Sequence, residues 1–447
     1  MTDKTDKIIQ LLEEKKYNSI SKEMKEINPA DAALVLQELP EHDMPPVFRL
    51  LPKELAADTF AYMDSDARAV LIKGFSDREL EDVMQQLFLD DTVDMIEEMP
   101  ANVVKRVLRH VDSDTRKMIN QMLNYPRDSA GSIMTMEYVD LKRSMTVDQA
   151  FQRIRATGTD KETVYTCYVT DERRKLEGIV TVKDLLFAQG DRQMKDIMET
   201  NVICVNTHTD QELVAAELGK YDFLAIPVVD KEERLVGIVT IDDALDVIQE
   251  EATEDIQKMA AISPSDKPYM KMSVLSIWKQ RAPWLLLLMI SATFTSAIIS
   301  SFEDALAASI ILTSFIPMLM DTGGNAGSQT SITIIRGISL GEIRFRDTFR
   351  ILGKEVSVAL LCGLTLASAN FIKLMLFDKV GVTVALVICI TLFLTVLVAN
   401  VLGTTLPVLA KKVGFDPAVM ASPLITTIVD AVALLIYFSI AKMLLGL

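Results

Sequence analysis

The sequence predicts a multi-domain chain: an all-α helical array, an α/β tandem repeat, a long connecting helix and an all-α membrane domain of five helices. Three observations predict it. Charge is divided unevenly, with 34 basic and 53 acidic side chains in residues 1–271 against 12 and nine in residues 272–447. Hydropathy divides at the same place, so the mean of +0.24 averages a soluble-looking part and a part with long uncharged runs. Within the soluble-looking part, one stretch of sequence occurs twice.

Residues 1–130 read as helical throughout. Apolar residues recur at helical spacing, as at Ile9, Leu11 and Leu12, then Ala33, Val35, Leu36 and Leu39. Prolines and acidic caps punctuate them at Asn28-Pro29, Leu39-Pro40, Leu51-Pro52, Asp64-Ser65-Asp66, Ser76-Asp77, Asp90-Asp91, Met99-Pro100 and Asp112-Ser113. Helices this short are unstable alone and must stack on one another.

Residues 131–248 alternate strands and helices in two copies, 131–195 and 196–248. Ile133-Met134-Thr135 matches Ile197-Met198-Glu199, the helix Val147–Ala156 matches Asp210–Leu218, and Gly178-Ile179-Val180-Thr181 through Asp184 matches Gly237-Ile238-Val239-Thr240 through Asp243. The offset is 64 at the first match and 59 at the last, so the first copy holds about five extra residues near 158–163. Each copy reads β-α-β-β-α. The pair resembles tandem CBS domains (the cystathionine-β-synthase type), a regulatory module. That resemblance implies an adenine nucleotide such as ATP as an optional ligand, with Thr181 and Asp184, or Thr240 and Asp243, meeting ribose and phosphate. The same Thr and Asp also fit as caps of the helix that follows. An acidic helix over 246–271, ending near Ser263-Pro264, then connects the repeats to the membrane part, so that residues 249–272 form a rod.

The remainder, 273–447, carries uncharged runs that give spans at about 282–302, 305–335, 352–377, 380–410 and 417–442. A lesser alternative splits the long fourth run. Basic residues precede the first span (Lys279, Arg281), follow the second (Arg336, Arg344, Arg346, Arg350, Lys354) and follow the fourth (Lys411, Lys412). These loops share one side, which the positive-inside rule makes cytoplasmic. Glu303, Asp304 and the loop holding Lys373, Asp378 and Lys379 fall on the other side.

Two stretches in the spans do not suit lipid. Residues 317–330 hold Asp321, Gly323, Gly324, Asn325, Gly327, Ser328, Gln329 and Thr330. Small residues allow close helix packing, and the amides suit a wet face. In the last span Asp430 is the one acidic or basic residue between Asp416 and Lys442, preceded by Pro423, Thr426 and Thr427. A carboxylate at that depth faces water, a cation or a paired charge.

Several functions are excluded. Acid this dense argues against nucleic acid and suits inorganic cations. Cys167, Cys204, Cys362 and Cys389 have no CxxC spacing and read as free thiols in a reducing compartment. No apolar leader opens the chain, so the soluble part is expected in the cytosol. His42, His110 and His208 are scattered, with no P-loop or triad spacing, so no enzyme is predicted.

The whole layout resembles the MgtE family of magnesium channels. The resemblance rests on Pro29-Ala30-Asp31 with Leu39-Pro40, on Tyr125-Pro126-Arg127-Asp128 through Thr135, on Glu251-Ala252-Thr253-Glu254-Asp255-Ile256, on Gly323-Gly324-Asn325-Ala326-Gly327-Ser328-Gln329 and on Pro423 through Asp430. It implies a homodimer in the cell membrane, with a pore on the two-fold axis that passes Mg2+ between paired Asp430 carboxylates. Asn325, Gln329, Thr426 and Thr427 would line that pore. It also implies closure by internal Mg2+ bound to acids. Carried over by position, these are Asp90, Asp91 and Asp94 in the helical array, Asp210, Glu212, Asp222 and Asp243 in the second repeat, Asp246, Glu251, Glu254 and Asp255 on the plug-like rod, and Asp416 at the mouth. Asp321 stands outside the pattern and its role is open. The residues alone also allow a secondary transporter coupled to Na+ or H+, or a membrane-anchored nucleotide sensor.

Overall fold

The computed structural model describes residues 2–265, 267, 269–302, 310–420 and 422–446. The chain divides into two compact units, 1–248 and 249–447.

In the first unit, helices α1 (Thr2–Glu13) to α10 (Ser113–Met122) form the array. The punctuation acts as caps: the side chains of Asn28, Asp64 and Asp112 accept from amides of the first turns, and Ser76 with Glu79 forms a capping box. One pair differs. Helix α8 (Leu89–Glu98) starts at Leu89 after Phe88, so Asp90 and Asp91 lie inside its first turn instead of capping it. Buried faces of successive short helices merge into one core, with Phe48, Phe60 and Phe75 meeting at centroid distances of 5.3–6.3 Å.

The repeats follow as β1 (Asp140–Lys142), α11 (Val147–Thr157), β2 (Thr166–Thr170), β3 (Leu176–Thr181) and α12 (Val182–Phe187). After the short α13 (Met194–Ile197) come β4 (Val205–Asn206), α14 (Gln211–Tyr221), β5 (Ala225–Val229), β6 (Leu235–Thr240) and α15 (Ile241–Met259). Each sheet pairs its first strand parallel to its second and its second antiparallel to its third. The duplication extends to the ladder: Thr166 faces Thr181 as Ala225 faces Thr240, and register shifts at Val169/Thr170 and again at Val228/Val229. The extra residues of the first copy include a 3-10 turn, Gly158–Asp160.

The two copies are cross-paired. Thr135, at the entry to the first, exchanges backbone hydrogen bonds with Ile238 of the second, and Glu199 does the same with Ile179 of the first. This explains the glycine that opens each Gly-Ile-Val-Thr motif. A Cβ on Gly237 would lie 2.6 Å from the Met134 sulfur, and one on Gly178 would lie 2.8 Å from the Met198 sulfur.

The connecting helix is shorter than the sequence suggests. Rather than occupying 249–272, it is the continuation of α15 and stops at Met259. Ala261 adopts a left-handed φ of 53°, and the Ile262 amide donates to the Gln257 carbonyl, closing the helix before Ser263-Pro264.

In the second unit the membrane helices are α16 (Val274–Ser301), α17 (Ile316–Ser339), α18 (Thr348–Lys373), α19 (Val382–Val413) and α20 (Ser422–Leu445). Among the described residues, segments 274–301, 345–378, 382–413 and 417–445 are long and apolar enough to cross a membrane. Helix α17 spans about 36 Å but carries the polar and glycine-rich stretch. Residues 305–309 of the expected second span, with Glu303 and Asp304, lie outside the described residues. The first helix begins eight residues before the expected 282, and the long fourth run is a single helix through Pro407.

Glycines set the packing. A Cβ on Gly403 of α19 would stand 2.5 Å from the Gly327 carbonyl of α17, so the two backbones touch there. On its other side α17 meets α20, with Gly324 against Thr426 and Gly327 against Ile425 and Val429. Tyr437 of α20 is fully buried and donates from its hydroxyl to the Leu312 carbonyl at 2.9 Å.

Candidate functional site

The acids singled out from the sequence fall into separate groups. The tightest is in the first unit. Helix α8 begins with unsatisfied amides, and the Glu137 carboxylate accepts one of them, from Leu89, at 3.1 Å. The Glu137 carbonyl in turn accepts from the Glu162 amide at 2.9 Å. These bonds gather three carboxylates: one oxygen each of Asp90, Glu137 and Glu162 lie within 4.8 Å of one another. An octahedral Mg2+ with oxygens at about 2.1 Å spaces its ligands by about 3–4 Å, so this spacing suits a cation held partly through water. Asp90 is only 8% exposed, and Glu162 has a buried carboxylate oxygen without a hydrogen-bond partner.

The electrostatics point the same way. Burial, with the charges of Asp243, Asp91 and Glu162 added, pushes the Asp90 carboxyl well above the usual range. Burial and Asp243 raise Asp94 to about 7, although part of that side chain reaches solvent. Burial raises Asp243 to about 7 against an opposing hydrogen bond from Thr240, and burial with Asp242 and Asp243 raises Glu162 to about 8. Asp91 and Asp246 move the same way, chiefly by burial. Near neutral pH the group therefore holds protons or an equivalent positive charge.

Of this group, Asp90, Asp91, Asp94, Asp243 and Asp246 were legible in the sequence. Glu137 and Glu162 were missed. The one available signal was that Glu162 lies in the extra residues of the first repeat.

Asp210, Glu212 and Asp222 are not gathered with them. Asp210 caps α14 and accepts from the Glu212 amide at 2.9 Å, while Asp222 terminates the same helix at its other end with a left-handed φ of 54°. The Thr–Asp pairs of the repeats are local caps. Thr181 and Asp184 form a reciprocal capping box, and the Thr240 hydroxyl donates to Asp243 at 2.6 Å. The first pair is more open than the second, since Asp184 is exposed and Thr240 is buried.

In the second unit the end of α15 docks on the membrane helices. The Lys258 ammonium lies 2.6 Å from both Glu254 and Asp416. Burial opposes its charge, but hydrogen bonds to Asp416 and Glu254 prevail and raise its pKa to about 12. Asp255 accepts from the Ser339 hydroxyl at 3.2 Å, and burial together with the Asp416 charge raises its carboxyl. Glu251 is half-buried one turn earlier on the helix. Met259 packs on Ile335 and Ala418. Lys258 was not singled out from the sequence, yet it is the cation that joins the rod acids to Asp416.

Within the spans, Asp430 is half-buried on α20. The Thr426 and Thr427 hydroxyls both donate to the Pro423 carbonyl, at 2.9 and 3.0 Å. Their oxygens keep lone pairs, while the Thr426 methyl packs at Gly324. Asn325 and Gln329 lie one turn apart on the face of α17 that this chain leaves exposed.

Comparison with known proteins covers most of the chain. Residues 316–440 match the family model of the MgtE divalent cation transporter, residues 27–128 match the MgtE intracellular N domain, and 130–191 and 194–250 each match a CBS domain. The magnesium transporter MgtE of Thermus thermophilus is 37% identical across 97% of both chains, and that of Bacillus subtilis is 32% identical across 97% of this chain and 96% of its own. The crystal structure of the cytosolic domain of the Mg2+ channel MgtE in complex with ATP superposes with a TM-score of 0.52 at 35% identity. It covers 54% of this chain and 99% of its own. These transporters are not enzymes, and the multi-domain architecture expected from the sequence is theirs. The chain belongs to the MgtE family of divalent cation transporters.

Proposed function

We propose that this chain forms a Mg2+-selective channel that imports Mg2+ past Asp430 and closes when internal Mg2+ binds its cytosolic acids. The observation that carries the reading is Asp430 itself, a half-buried carboxylate on a helix with no other charge from 417 to 441. A carboxylate there is costly unless it serves an ion path. Mg2+ keeps most of its waters, so few protein ligands are needed, and two copies related by a two-fold axis would double the charge. The uncovered polar face of α17 supports a homodimer on that axis, and the basic loops support a cytosolic soluble part.

Regulation follows from the acids. Ionised together, Asp90, Asp91, Asp94, Asp243, Glu137 and Glu162 repel; a divalent cation neutralises them. A closed state that holds several ions more tightly than the open one gains population as internal Mg2+ rises. Asp246, Glu251, Glu254, Asp255 and Asp416 extend the same chemistry to the rod and the mouth. Asp210, Glu212 and Asp222 are left as separate, weaker surface sites. An adenine nucleotide on the CBS pair is part of the proposal, supported by the relative crystallised with ATP; we assign Thr181 and Asp184 to its ribose and phosphate.

The test is flux. Full-length protein in liposomes passes Mg2+ down its gradient with Na+ and H+ gradients collapsed, and Mg2+ added on the soluble-domain side stops it. Flux that disappears with those gradients identifies a coupled transporter instead, and no flux of any divalent ion identifies a sensor.

A pH dependence is also expected. The raised carboxyl pKa values mean that the folded cluster binds protons that an unfolded one releases. Their stabilising effect is complete below about pH 4 and is lost as pH rises through 7–8. Mg2+ must displace those protons, so it binds more tightly at high pH. The Mg2+ concentration that half-protects the full-length protein from trypsin should fall at least about tenfold between pH 6 and 8.5. A pH-independent midpoint contradicts the cluster.

A further inference from the structure

We propose that Asp321 is a second ion-facing carboxylate of the permeation path, standing beside Asp430 and setting the preference of the path for divalent over monovalent cations. The proposal rests on the reading of Asp430 as an ion-path residue and extends it to a residue the family pattern leaves unexplained.

Helix register places the two together. Gly323 meets Val429, Gly324 meets Thr426 and Gly327 meets Ile425, with a Cβ on each glycine reaching its neighbour at 2.9–3.0 Å. Increasing numbers on α17 thus run against decreasing numbers on α20, so the helices are antiparallel and their backbones are close. One turn back from Gly324 is Asp321, and one turn on from Thr426 is Asp430. Neither has a hydrogen bond or ion pair among the described residues.

Exposure gives the second, independent observation. Asp321, Asn325 and Gln329 are all exposed in this chain, at intervals of four residues, whereas Gly323, Gly324, Gly327 and Ser328 between them are buried. They form one stripe along α17 that no other helix covers among the described residues. An uncovered carboxylate within a span is too costly against lipid and faces a polar path. Asp321 therefore begins the line that Asn325 and Gln329 continue, with Asp430 alongside.

The chemistry separates ions by charge. Two adjacent carboxylates in a poorly solvated setting repel unless a cation lies between or beside them. A divalent ion gains twice the Coulomb energy of a monovalent one from the same pair. With waters retained on the ion, both carboxylates can accept hydrogen bonds from its hydration shell without stripping it. One carboxylate per subunit gives attraction; two give discrimination.

The experiment uses full-length protein in liposomes and measures Mg2+ flux against Mg2+ concentration, and K+ flux with and without Mg2+. D321N is expected to raise the half-saturating Mg2+ concentration about tenfold and to weaken Mg2+ block of K+ flux by a similar factor. D321E is expected to restore both, which a purely structural role does not require. Unchanged saturation and block in D321N overturn the proposal. Should D321N fail to elute as the wild type does, Asp321→Gly is measured in the same way, because glycine already flanks this turn. D430N run alongside separates the two readings. If D430N is silent, the ion path itself is misplaced; if D430N stops flux while D321N is silent, only the role of Asp321 fails.

Discussion

Asp430→Asn leaves a magnesium-starved host without Mg2+ uptake. The substitution keeps shape and hydrogen-bonding capacity and removes only charge, at the one acidic position of α20. On a two-fold axis both carboxylates are lost at once, so flux in liposomes should fall by at least about 100-fold, equivalent to roughly 2.7 kcal/mol. Because the side chain is half-buried and makes no hydrogen bond or ion pair among the described residues, the variant should elute and melt as the wild type does. Growth rescue equal to wild type, with equal protein in the membrane, removes Asp430 from the path.

The second large effect has an unexpected sign. The triple variant D90N/D94N/D243N deletes regulatory ligands, which at first sight should hold the channel open. The electrostatics predict the reverse. Burial raises all three carboxyls, so the folded cluster already prefers them uncharged. Amides supply that state permanently. The triple variant should resist trypsin without Mg2+ as well as the wild type does with it, and its Mg2+ flux at low internal Mg2+ should be lower by at least about tenfold. Internal Mg2+ should then change flux little further. A variant that stays protease-sensitive and conducts freely at high internal Mg2+ shows that the acids act only as ligands and that their repulsion is unimportant.

Much of this was readable in the sequence because it is local. Helix starts in the array follow from single residues such as Asn28, Asp64 and Ser76, whose side chains cap amides two or three positions away. The repeat was visible because a duplicated ladder preserves spacing, and Asp430 because an isolated charge in an apolar run has few explanations. What was not readable depends on distant chain segments. Asp90 meets Glu137 and Glu162 only because a helix N-terminus needs an acceptor, and nothing in the 46 or 71 residues of intervening sequence signals that. The end of α15 was misjudged because acidic, helix-favouring residues run up to it, whereas the stop is a left-handed Ala261, a residue with no sequence preference for that conformation. Lys258 looked like a surface lysine until Asp416, 158 residues later, was placed beside it. Asp321 needed the register of two helices before it had a neighbour.

The cross-pairing of the two CBS repeats has a consequence for how such a chain could arise. Each copy lacks a piece that the other supplies: Thr135 completes the ladder at Ile238, and Glu199 completes it at Ile179. A chain with one copy could satisfy the same bonds only by lending its entry segment to a second molecule and borrowing one in return. Such an ancestor is an obligate pair, and tandem duplication turns its concentration-dependent association into an intramolecular one with a fixed, high effective concentration. The glycines at 178 and 237 mark where the two copies meet, and each is kept small because a methionine of the other copy reaches its backbone.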